Sequence, residues 1–132
     1  MGCSLAASLA TRIKTFRREL DPDFLFIEPS ELVVTREIRN VLAMGLRDVK
    51  YDMGPFITLV DGPAFEFLWQ ERKALIIGHV TDADLVAISR SDLVKKEKLE
   101  NIKKILKEYV DGIIGLSTNR DWGVAEVMEK LD

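Results

Sequence analysis

Two short stretches carry residue types that can read a purine base. The first is Ser89-Arg90-Ser91-Asp92, which follows the apolar run Leu85-Val86-Ala87-Ile88. A carboxylate at Asp92 can accept two hydrogen bonds from adjacent N–H groups on a base edge, as guanine presents at N1 and N2. The carbon stem of Arg90 can lie over the ring face. The competing reading is a loop in which Ser91 or Asp92 caps the next helix. The second stretch is Ser117-Thr118-Asn119, after Ile113-Ile114-Gly115-Leu116. Backbone N–H groups there can meet a purine oxygen, or the stretch is simply a polar β–α turn. One βα unit separates the two, so a fold that places successive strand ends side by side brings them together.

Two acidic residues also end apolar runs. Glu28 follows Phe24-Leu25-Phe26-Ile27, and Asp61 follows Phe56-Ile57-Thr58-Leu59-Val60. Either carboxylate can hold a metal-bound water or favour a neighbouring helix N-terminus. For Asp61 the structural role is the stronger reading. Cys3 and His79 are the single cysteine and single histidine. Alone they cannot complete a tetrahedral metal site within one chain, so His79 reads as a polar residue at or near the surface. Trp69 and Trp122 read as packing residues.

The elements that position these residues alternate in period. Leu5, Leu9, Ile13, Phe16 and Leu20 recur at helical spacing, and Asp21-Pro22-Asp23 stops that helix. Phe24–Ile27 then reads as a strand buried on both faces. Ser30 is placed to cap a helix bearing Ile38, Val41, Leu42 and Leu46. The strand at 56–60 leads to a helix with Phe65, Leu68 and Trp69. The strand at 85–88 leads to one with Leu99, Ile102, Ile105, Leu106 and Tyr109. The strand at 113–116 leads to one with Val124, Val127, Met128 and Leu131. This αβαβαβαβα order predicts a single α/β domain over 1–132, with a parallel sheet of about four strands and helices on both faces. In such sheets ligands bind at the edge formed by the strand C-terminal ends, where Glu28, Asp61, Ser89–Asp92 and Ser117–Asn119 lie.

Composition narrows the classes. The 132 residues are 47% hydrophobic and 31% charged, with a formal net charge of −3. No basic field points to nucleic acid, and no apolar run reaches the roughly 20 residues of a membrane helix. A lone cysteine and an N-terminus interrupted by Arg12, Lys14, Arg17 and Arg18 predict a cytoplasmic setting.

Taken together these pieces resemble the CobW/UreG/HypB-type metallochaperone GTPases, a branch of the P-loop NTPases. Met1-Gly2-Cys3-Ser4-Leu5 is similar to the tail of the family's Cys-x-Cys-Cys motif. FLFIEPS (24–30) resembles its strand ending in Glu-x-x-Gly, FITLVDGPAF (56–65) its Val-Asp strand, and DLVAISRSDLV (84–94) its Asn-Lys-x-Asp-Leu motif. Gly115–Asn119 resembles its last base-contacting loop. The resemblance implies GTP or GDP with magnesium in the complete family, and a role in cobalamin, nickel or zinc cofactor assembly with a metalloenzyme client. It implies Ser89, Arg90, Asp92, Ser117, Thr118 and Asn119 on the guanine side, Glu28 on the magnesium and water side, and Cys3 as a metal ligand.

The sequence departs from that pattern. It contains no Gly-x-x-x-x-Gly-Lys-Ser/Thr string, Glu31 stands where the Glu-x-x-Gly glycine would be, and Ser89-Arg90 replaces Asn-Lys. The phosphate loop supplies the backbone cradle, the lysine and the magnesium-binding hydroxyl. The expectations are therefore the C-terminal part of a CobW-type GTPase domain that turns over no GTP alone, or a non-hydrolysing interaction subunit with a GTPase-like fold; this chain by itself need not bind nucleotide. In the family the strand before that loop lies inside the sheet. A rearranged sheet, self-association, a partner chain completing the sheet, or a longer natural protein are the alternatives that follow. An unrelated receiver-like or flavodoxin-like domain ranks last, because neither an acidic cluster nor a phosphate loop of those kinds is present.

Overall fold

The computed structural model describes residues 3–132, with side chains described from residue 6 onward. The sequence reads as one domain. By its contacts the chain forms two compact units, Met1–Met53 and Gly54–Asp132.

The first unit is a helix pair, α1 (Cys3–Glu19) and α2 (Thr35–Gly45). Ala10 and Ile13 of α1 are buried, as are Ile38 and Leu42 of α2 and Leu46 just beyond it. The helices approach closely at Gly45, where an added Cβ would stand 3.2 Å from the Ala10 Cβ. The amides of Leu20 and Asp21 both donate to the Phe16 carbonyl, and Asp21 adopts φ 44°. That is a left-handed helix terminus, and it ends α1 where the Asp-Pro-Asp string predicts. Ser30 does not cap α2. Its hydroxyl accepts the Leu32 N–H at 3.4 Å and its carbonyl the Val33 N–H at 3.0 Å, so it forms a local turn. The helix starts five residues later, at Thr35.

The strand expected at Phe24–Ile27 does not form. These residues carry no strand pairing, and Phe24 and Phe26 are 67% and 74% exposed. Their rings stack at 6.5 Å, as side chains two apart on an extended chain do. An apolar run becomes a buried strand only when neighbours take up its N–H and C=O groups, and no described strand does so.

The second unit is a parallel sheet of three strands, β1 (Ile57–Asp61), β2 (Leu85–Ser89) and β3 (Ile113–Gly115), in the order β1-β2-β3. Helices α3 (Phe65–Val80) and α4 (Lys96–Leu106) connect them, and α5 (Val124–Leu131) follows. The unit is thus α/β with two successive βαβ connections. Leu85, Val86, Ala87 and Ile88 are all buried, as a central strand covered on both faces requires. Phe65, Val80, Ile102 and Leu106 complete the core with Val60, Val86 and Ile88, and Trp69, Leu99, Ile105 and Tyr109 pack around it. Trp69 stacks on Phe65 at 5.4 Å and tilts against Tyr109 at 6.1 Å, which makes it a packing residue. Full burial of an aromatic such as Phe65 stabilises by about 1.5–3 kcal/mol. Among the described residues no helix is long and apolar enough to cross a membrane.

Candidate functional site

Parallel pairing places Asp61 opposite Ser89 and Ile88 opposite Gly115. The three strands therefore end at one edge, and the loops after β2 and β3 meet there. Ser89, Arg90, Asp92, Leu116, Ser117, Thr118 and Asn119 line a cleft of about 100 Å³. All six residues expected on the base side are thereby brought together. Pockets that engulf a drug-sized ligand span roughly 300–1,000 Å³, so this cleft is too small to enclose a whole nucleotide.

Ser91 joins the two loops. It is 3% exposed, and its hydroxyl donates to the Ile88 carbonyl at 2.6 Å and accepts the Leu116 N–H at 3.2 Å. Its own N–H donates to the Leu116 carbonyl at 3.0 Å. From sequence, Ser91 reads only as a candidate helix cap. Its oxygen also limits the neighbouring strand end, because a Cβ on Gly115 would stand 3.1 Å from the Ser91 Oγ. The one signal in the sequence is a serine, with its short side chain, set between arginine and aspartate.

The loop after β3 closes on itself. Ser117 and Trp122 exchange both backbone hydrogen bonds at 3.0 Å, and the Ser117 hydroxyl accepts the Arg120 N–H at 3.3 Å. Asp121 at φ 58° and Gly123 at φ 71° turn the chain into α5. A side chain at Gly123 would run into the Gly115 carbonyl oxygen. Ser117 is 2% exposed, and its N–H is engaged within the loop. The amides of Thr118 and Asn119 are different. Both residues are exposed, and neither N–H has an acceptor among the described residues. Trp122, expected as a packing residue, is 52% exposed and contributes its backbone to the closure.

Asp92 is half-buried, and its carboxylate has no hydrogen bond or ion pair among the described residues. It does not cap α4, whose N-cap position, Lys95, makes no side-chain capping bond. Arg90 is left-handed, at φ 54° and ψ 36°. Its guanidinium donates from Nε to Asp61 Oδ1 at 3.0 Å and from Nη2 to Asp61 Oδ2 at 2.5 Å. The hydrogen bonds and charge of Asp61 hold the Arg90 pKa above its ordinary value. Ser89 donates from its hydroxyl to the Val60 carbonyl at 3.3 Å. Asp61 therefore has a structural contact, but it is an ion pair with Arg90 rather than the helix N-terminus that the sequence suggested.

Glu28 is exposed and lies in the first unit, after the unpaired Phe24–Ile27 segment. Cys3 lies within α1, and its side chain falls outside the described residues. His79 is half-buried on α3. Among the described residues no group of three or more His, Cys, Asp or Glu is placed to hold a metal ion.

The CobW/HypB/UreG nucleotide-binding domain family matches residues 1–113. Arg90, Ser91 and Asp92 fall inside that stretch, and Ser117, Thr118 and Asn119 fall beyond it. Comparison with curated proteins and with solved structures gives no match.

Proposed function

We propose, since this chain belongs to the CobW/HypB/UreG family of nucleotide-binding domains, that its second unit holds the base of a guanine nucleotide in the cleft between the β2 and β3 loops. The observation that carries this is the donor and acceptor set of the cleft. It offers an unpaired carboxylate on Asp92 together with unpaired N–H groups on Thr118 and Asn119. A guanine edge has the complementary set, two adjacent N–H donors and a carbonyl oxygen. Adenine has a ring nitrogen acceptor where guanine has N1–H, and that acceptor meets the Asp92 carboxylate unfavourably. Asp92 accepts from N1–H and N2–H, the amides at 118 and 119 donate to the carbonyl oxygen, and the Arg90 stem forms a wall. Ser91 and Ser117 hold the two loops in place.

Hydrogen bonds to a charged group contribute about 1.5–3 kcal/mol each, so discrimination of GDP over ADP of roughly tenfold or more is expected. Calorimetric titration with Mg-GDP and Mg-ADP tests it. The preference should vanish in Asp92→Ala. Equal affinity for the two nucleotides, or no binding of either, would refute the base-site reading.

The wider role we propose is GTP-dependent assembly of a metal cofactor, with cobalamin, nickel or zinc as the class of cargo and a metalloenzyme as client. Family membership supports it, together with Cys3 at the position of a cysteine motif. The departures at Ser89-Arg90 and Glu31 favour a second reading, a non-hydrolysing interaction subunit. Titration with Mg-GDP and Mg-ADP separates the two: binding that prefers GDP supports the first reading, and no binding of either supports the second.

We also propose that another strand covers the outer edge of β1, from a second copy or a partner chain. Phe56 and Gly62 bond toward β2, so the alternate residues Ile57, Leu59 and Asp61 direct their backbone groups away from it. No described strand lies beyond, and open edges of this kind recruit strands. A solution mass of a monomer, with no partner captured by the purified chain, would count against this.

A further inference from the structure

We infer that Asp61 is a positioning residue for base recognition, acting through Arg90. This rests on the reading of the cleft as a base site. Arg90 lines the cleft, and its guanidinium makes a two-point contact with Asp61, which is not among the lining residues. Two bonds to a planar head fix its orientation as well as its place, which a lysine ammonium at the same position does not achieve. With the head so held, Arg90 contributes its carbon stem to the cleft rather than a mobile positive charge. The wall against which a base face lies is therefore set before a ligand arrives, and the ordering cost of that side chain is removed from binding.

The local backbone is built for this contact. Asp61 is the register partner of Ser89, so its carboxylate emerges beside the residue that precedes Arg90. The turn after Asp61 closes onto β2 through the Gly62 N–H, which donates to the Ser89 carbonyl at 3.1 Å. A Cβ at position 62 would stand 2.9 Å from that carbonyl oxygen and 2.9 Å from Val94, so the approach requires glycine. Arg90 accepts a left-handed conformation that long side chains seldom adopt, and that conformation aims its side chain back across the strand ends toward Asp61. The pair is partly solvated, with Arg90 56% and Asp61 31% exposed, so its effect is modest and graded.

The test is a cycle on the purified chain, read by titration with GDP and by the Arg90 Nε–H resonance in the ¹⁵N NMR spectrum. Asp61→Asn should weaken GDP binding about two- to fivefold, the range for a partly exposed ion pair, and should speed exchange of the Arg90 Nε–H. Asp61→Glu should recover part of both. Arg90→Met keeps an apolar stem without the charged head, and in that background Asp61→Asn should change nothing further. Lys98→Gln, which removes an exposed pair with Glu66 away from the cleft, should leave GDP affinity unchanged. If the wild-type chain prefers GDP to ADP but Asp61→Asn binds GDP equally well, or if Asp61→Asn weakens binding equally in the Arg90→Met background, the inference is wrong and the base site stands. If the wild-type chain shows no base preference, the base site itself fails and this inference falls with it.

Discussion

Replacing Ser91 and Gly115 singly and together should reveal how the two loops are locked. The Ser91 hydroxyl donates to the Ile88 carbonyl at 2.6 Å and accepts the Leu116 N–H at 3.2 Å. That same N–H also donates to the Ile88 carbonyl at 2.8 Å. Ser91→Ala therefore leaves no amide stranded and removes one good hydrogen bond, a loss of about 0.5–1.5 kcal/mol. Gly115→Ala fails for a different reason. Its new Cβ would meet the Ser91 Oγ at 3.1 Å, the Ser91 Cβ at 3.5 Å and Leu99 Cδ2 at 3.6 Å. Only the first is tighter than ordinary contact, so the cost falls toward the lower part of the roughly 1–3 kcal/mol typical of overpacking. In the Ser91→Ala background that oxygen is gone, and the remaining contacts are ordinary. Gly115→Ala there should be near neutral, or stabilising by about 0.4–1 kcal/mol through the unfolded state. Urea denaturation of the four proteins, with m-values compared, gives the coupling directly. We expect about 1–2 kcal/mol, well outside the roughly 0.3–0.5 kcal/mol within which independent sites add. Additive costs would refute the view that the Ser91 hydroxyl is the wall that keeps position 115 a glycine.

Gly123→Ala should destabilise the second unit by about 2–4 kcal/mol, because it combines a left-handed backbone with a collision at the Gly115 carbonyl; a chemical denaturation midpoint close to wild type would contradict this. In the first unit, the hydrogen bond from Lys14 holds the Asp48 carboxyl below its ordinary 3.8. A depressed carboxylate contributes stability above its ordinary value and loses it as pH falls through the folded one. Lys14→Gln should therefore raise the Asp48 pKa in an NMR titration and flatten the acid limb of stability; an unchanged Asp48 titration would remove the basis for it. The 132-residue chain incubated with Mg-GTP should release no phosphate, since its sequence has no Gly-x-x-x-x-Gly-Lys-Ser/Thr loop. Turnover that scales with protein and disappears in Asp92→Ala would overturn that expectation.

What could be read from the sequence follows from how local each feature is. Leu85–Ile88 announces a central strand because every residue is apolar, and all four are buried. The helical face Leu99, Ile102, Ile105, Leu106 and Tyr109 is found whole in or against the core. Phe24–Ile27 is just as wholly apolar but has no ladder, because apolar content reports a preference for burial and not the presence of neighbours. Ser30 misleads for a related reason: a serine hydroxyl serves a turn as readily as a helix cap. In the site, the strand-end rule locates six of the seven cleft residues, all but Leu116, yet it misses what Ser91 and Asp61 do. Those roles depend on register, with Asp61 opposite Ser89 and Ile88 opposite Gly115. Register is a relation between strands that no single stretch encodes.

The left-handed residues show how the cleft is kept in shape. Among the described residues three non-glycine residues have positive φ: Asp21 ends α1, while Arg90 and Asp121 lie in the two loops that bound the cleft. Such conformations persist only where surrounding contacts over-determine them. Arg90 is fixed by Asp61, and Asp121 lies inside the ring closed by Ser117 and Trp122. Both loops are therefore set by contacts within the second unit, without help from a ligand. The Asp92 carboxylate and the exposed amides of Thr118 and Asn119 then have no partner among the described residues, and a base edge can complete them. Base selectivity should accordingly belong to residues 54–132 as a folded unit. The strength of nucleotide binding depends in addition on whatever groups meet the phosphates. Substitutions at Asp92 should change which base is preferred, and changes to phosphate number, as in GMP, GDP and GTP, should alter affinity without altering that preference.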